Sequence, residues 1–92
     1  MADVHRHQVE VRFDDLTDVL SAYVPGTISD RVHPAQYDGH LLLELDESGQ
    51  VVGIELLNAS VLKHSYWKTH PDRNSLPLEL IQGVDHWMIN RL

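Results

Sequence analysis

Residues 40–60, HLLLELDESGQVVGIELLNAS, decide the fold: two apolar runs joined by a tight polar turn and closed by a helix-start signal. Side chains alternate between the faces of an extended chain, so Leu41, Leu43 and Leu45 share one face and Val52, Ile54 and Leu56 share another. Bringing the two triplets together makes one core face. Asp46-Glu47-Ser48-Gly49 places Asp at the first position of a type I turn and Gly where a left-handed residue closes it. A slip of one residue would expose both triplets, which fixes the register.

Upstream, Val9, Val11 and Phe13 alternate with Gln8, Glu10 and Arg12, the pattern of a strand with one buried face. Leu20, Ala22 and Val24 alternate with Val19, Ser21 and Tyr23 and stop at Pro25-Gly26. These two segments are expected to form a hairpin. The polar stretch from Thr27 to Gly39 is interrupted by Pro34 and has room for a short edge strand at Ile28 to His33. Downstream, Asn58 or Ser60 is expected to cap a helix beginning near Val61, and Ser75 with Pro77 to start a last helix from Leu76 to Leu92. The reading is an α+β domain: an antiparallel meander of about four strands with C-terminal helices covering one face. It makes one domain of residues 1–92, with a mobile start over 1–7, sheet over 8–57 and a helical tail over 58–92.

Phe13-Asp14, Asp18, Leu20, Ala22 and Val24, together with the run from Leu43 through Gly53-Ile54-Glu55 to Asn58-Ala59-Ser60, resemble the family called domain of unknown function 2283, small bacterial and archaeal proteins. The resemblance spans residues 8–62. It implies a small sheet followed by helix and carries no catalytic residue. Members often lie beside small toxin-like genes, so the resemblance also implies an antitoxin-like role. The chain departs from the family pattern at Phe13, where Tyr is usual, and in a longer, more aromatic tail beyond Leu62.

Composition narrows the function classes. The formal net charge is −7, spread along the chain, and repels nucleic-acid backbones while attracting a basic partner protein. Seven histidines would cancel that charge if all were protonated. The chain has no cysteine, which excludes disulfides and cysteine-based zinc sites. No stretch has the length of a membrane span and no signal peptide is evident, so a cytoplasmic location is expected. No nucleophile elbow, phosphate-cradling loop or zinc-protease motif occurs, and neither a cofactor nor a metal is expected. His5 and His7 point the same way in an extended segment but lack a third local ligand.

Two function classes remain. In the preferred one the chain is a non-catalytic interaction module, acting as a homo-oligomer or on a basic partner. At 100° per residue the last helix spreads its apolar side chains over about 220°, more than one sheet covers. Leu78, Ile81, Met88, Ile89 and Leu92 are therefore the expected interface of a two-fold dimer. The alternative is a small accessory enzyme or ligand-binding protein using His64, Tyr66, Asp85 or His86 in a pocket roofed by the tryptophans. Asp14 is read as bonding to the backbone of its own turn, Asp18 as a solvated strand entry and Glu55 as solvent-facing.

Overall fold

The computed structural model describes residues 9–90. Five strands form a single antiparallel sheet: β1 (Glu10–Asp14), β2 (Val19–Tyr23), β3 (Arg31–Pro34), β4 (Leu41–Leu45) and β5 (Val51–Leu57). Helix α1 (His64–Lys68) and helix α2 (Leu78–Asn90) follow, each preceded by a short 3₁₀ turn. The class is α+β as expected.

The order across the sheet is β1-β2-β5-β4-β3, which corrects the expected four-stranded meander in count and in path. The chain leaves β2 through Pro25-Gly26 and crosses the ends of β5 and β4, held by Val24 N–H to Val52 O (3.0 Å) and Asp30 N–H to Leu45 O (2.7 Å). Residue chemistry explains the detour. Every residue of β3 is exposed, and Pro34 has no N–H to give a second neighbour, so this strand belongs at an edge. The inner place beside β2 goes to the apolar β5, pairing Leu20 with Leu56 and Ala22 with Ile54.

The central hairpin pairs Leu41 with Leu56 and Leu43 with Ile54, with an irregularity between Glu44 and Leu45. Its turn is fastened by Asp46, whose Oδ1 accepts the N–H groups of Ser48 and Gln50 and the Ser48 hydroxyl at 2.7–2.9 Å. Gly49 takes φ 88°, the left-handed conformation the turn requires.

Leu20, Ala22, Leu41, Ile54 and Leu56 form the buried face of the sheet, and Leu80, Ile81, Val84, Met88 and Trp67 cover it in one continuous core. α2 lies on β1 and β2 with Gly83 against the sheet; a Cβ there would stand 3.1 Å from Val9 and 3.2 Å from Val11. α1 packs beside α2, so the broad apolar arc of α2 is shared between the sheet and a second wall.

Both helix starts differ from expectation. Val61 ends the turn Ala59–Val61 and α1 begins at His64, while Leu76 is extended and α2 begins at Leu78. Asn58 adopts φ 56° and makes no side-chain cap. The capping carboxylate comes instead from Asp18, itself left-handed at φ 58°, which accepts the Ser60 N–H (2.8 Å) and hydroxyl (2.6 Å). A residue expected to be a solvated strand entry thus ties the β1–β2 hairpin to the end of β5. Asp14 does serve its own turn, accepting the Leu16 N–H at 2.9 Å. No helix among the described residues is long and apolar enough to cross a membrane.

Candidate functional site

The helices cover one face of the sheet. Residues of the opposite face follow from the register: Glu10, Arg12 and Asp14 on β1, Val19, Ser21 and Tyr23 on β2, Glu55 and Leu57 on β5, Leu42 and Glu44 on β4, and Val32 on β3. At its centre Glu44 and Glu55 are diagonal neighbours on adjacent strands, and the two carboxyls interact. Two neighbouring carboxylates repel each other when both are ionised, so the pair holds its last proton more tightly than a lone glutamate does. The hydrogen bond with Glu55, then partial burial, then the Glu55 charge push the Glu44 carboxyl up to about 7, against a smaller opposing effect of the Ser29 hydroxyl.

Gly53 makes this approach feasible, since a Cβ there would meet Ala22 O and Tyr23 Cβ at 3.2 Å and Glu44 Oε1 at 3.3 Å. Beside the pair, the Tyr23 hydroxyl donates to Glu10, and the Arg12 guanidinium lies 5.6 Å from the Tyr23 ring centre. The hydrogen bond to Glu10 holds the Tyr23 phenol above its ordinary value. The result is an acidic surface with an apolar rim of Val19, Leu42, Leu57 and Val32.

A second polar cluster lies where β4 begins and β5 ends. The His70 ring is buried; its Nε2–H donates to Asp38 Oδ2 (2.7 Å) and its Nδ1 accepts the Asp72 N–H (3.1 Å). Both ring nitrogens are therefore occupied, and His70 has no free position from which to move a substrate proton. Buried Asp72 in turn accepts the Tyr37 N–H. Burial alone would raise the Asp38 carboxyl, but the bonds from His70 and from the His40 N–H outweigh it and keep it below the usual carboxylate range. The cluster fastens the segment before β4 to the α1–α2 connection.

The sequence-predicted candidates do not converge. Asp85 accepts both Arg73 guanidinium nitrogens (3.0 and 2.7 Å) and the Trp67 indole N–H (2.7 Å). The Arg73 bond holds its carboxyl down despite burial, and the Trp67 bond and the nearby His64 add to this. His64 is near Asp85, whereas Tyr66 is half exposed and lines a groove beside Asp38. His86 is on the solvent side of α2, where Asn90 Nδ2 lies 3.1 Å from its Nε2. Of the expected interface row, Ile81 and Met88 lie in the core, in one buried cluster with Trp67 of α1 and the inner face of the sheet. Leu78 and Ile89 are exposed, and Leu92 falls outside the described residues. His5 and His7 also lie outside them; among the described residues no three His, Asp or Glu side chains gather as a metal site.

Glu55 faces away from the helices as expected, but its partner Glu44 was missed. The signal was present: both are polar positions of one hairpin, and the register fixed by the leucine triplets places them diagonally across neighbouring strands. A family model described as "Protein of unknown function (DUF2283)" matches residues 10–60. No curated protein and no solved structure matches the chain.

Proposed function

The chain belongs to the DUF2283 family, and from the sheet face that no helix covers among the described residues we propose that it is a non-catalytic, cytoplasmic interaction module that binds a basic partner protein. The observation that carries this reading is the Glu44–Glu55 pair on that face. A cationic side chain of a partner satisfies both carboxylates at once by replacing the shared proton, and the apolar rim supplies the dry border that strengthens such a contact. Charge decides between partners. With Glu10, Asp14, Glu44 and Glu55 against Arg12, the face repels a second copy of itself at neutral pH and attracts a cationic surface. The enzyme reading has less support, since His70 is fully bonded and Asp85 holds Arg73 and Trp67 in place.

An alternating arginine–leucine peptide tests this, with a glutamine–leucine peptide as control. Calorimetry at pH 8 should find binding of the basic peptide only. Replacing both acids (Glu44→Gln with Glu55→Gln) should weaken it by about tenfold or more, roughly 1.4 kcal/mol. Equal affinity of both peptides, or of wild type and the double variant, would overturn the proposal.

A further inference from the structure

A groove of about 420 Å³ opens at the end of the sheet, bordered by Leu57 from the rim of the acidic face but not by Glu44 or Glu55, and lies in the range typical of small-molecule sites. Leu56, Val61 and Leu62 give it apolar walls, and Tyr66, Lys63 and His40 supply polar edges. Val61 is 76% exposed, unusual for a β-branched aliphatic residue beside a concavity. Asp38 also borders the groove, but its carboxylate oxygens are already engaged, Oδ1 by the His40 N–H (2.8 Å) and Oδ2 by buried His70 (2.7 Å). Lys63, by contrast, has no ion pair or side-chain hydrogen bond among the described residues. On a chain of formal charge −7, an unpaired ammonium beside an apolar wall is a local exception, and its complement is an anion.

We propose that this groove binds a small organic monocarboxylate, its apolar body seated on Leu56, Val61 and Leu62 and its carboxylate directed to Lys63 and His40. The size and the lining exclude a bare inorganic anion, which would leave the apolar walls wet. The single cation selects one negative charge over two. Long-range repulsion from the rest of the chain slows entry of an anion, so selection depends on the short-range contact with Lys63.

The probe is 1-naphthylacetate, titrated into the full chain at pH 7 and followed by amide chemical shifts, with 1-naphthaleneethanol as the uncharged counterpart. Saturable shifts are expected at His40 and from Val61 to Tyr66, with a Kd below about 1 mM, and the alcohol should bind about fivefold more weakly or worse. Lys63→Met should remove the preference for the acid while leaving the alcohol unchanged. Val61→Asp, at an exposed position that leaves the core intact, should abolish binding of the acid. The proposal is overturned by failure to saturate at about 10 mM, by equal affinity for acid and alcohol, or by shifts centred on Glu44 and Glu55 instead of the groove.

Discussion

Glu44→Gln should stabilise the protein at alkaline pH, although it removes a charged group and a hydrogen-bonded partner. The Glu44 carboxyl moves from its ordinary 4.5 to about 7 on folding. At about 1.36 kcal/mol per pH unit, this corresponds to roughly 3.4 kcal/mol as an upper bound. Water reaches this half-buried face, and screening reduces the cost to about 1 kcal/mol. Because the folded state holds its proton more tightly than the unfolded chain, the penalty is absent below about pH 4.5, grows as pH rises, and is complete above about 7. Urea denaturation of wild type and Glu44→Gln at pH 8 and pH 4.5 should therefore show the variant more stable by about 1 kcal/mol at the higher pH. The difference should shrink to about 0.3 kcal/mol or less at the lower pH. A variant less stable at pH 8, or an effect independent of pH, would refute proton sharing by the pair.

Ile54→Ala removes a side chain that is 1% exposed at the centre of the core, and chemical denaturation should record a loss of about 2 to 5 kcal/mol. Asp85→Ala leaves the Arg73 guanidinium and the Trp67 indole N–H without their shared acceptor, at a cost of about 2 kcal/mol together with a change in tryptophan fluorescence. The stability contributed by ionised Asp38 and Asp85, whose folded values are depressed, is present above their ordinary 3.8 and should be lost as pH falls further in an acid titration followed by circular dichroism. Asp18→Ala should cost about 1 kcal/mol and speed amide exchange at Ser60.

The hairpin was legible because period-two alternation is a local property: Leu41, Leu43, Ile54 and Leu56 all face the core as read, whereas past the irregularity at Glu44/Leu45 it is Val51 that packs on the core cluster in place of the expected Leu45 and Val52. The strand order was not, because the segment between β2 and β3 reads the same whether it turns back beside β2 or crosses two strand ends. Only the competition between β3 and β5 for the inner position settles it. Arc counting on α2 identified the excess apolar surface but not its fate, since coverage of Ile81 and Met88 depends on where α1 docks. The Asp18–Ser60 bond spans 42 residues and joins the two stretches that carried the family resemblance, a tertiary reason for residues that looked like separate local signals. The Asp38–His70–Asp72 cluster had no local signature, because its parts come from different loops and become partners only when the connection before β4 meets the one between the helices.

The measurement that bears most directly on the uncovered face as the binding surface is amide chemical-shift mapping of the isotope-labelled chain with the arginine–leucine peptide. Binding through the acidic pair predicts shifts concentrated at Ser21, Tyr23, Leu42, Glu44 and Glu55, weakening as pH is lowered through about 7 and the pair regains its proton. Shifts concentrated at Leu78 and Ile89 on α2, or a response unchanged by pH, would contradict it.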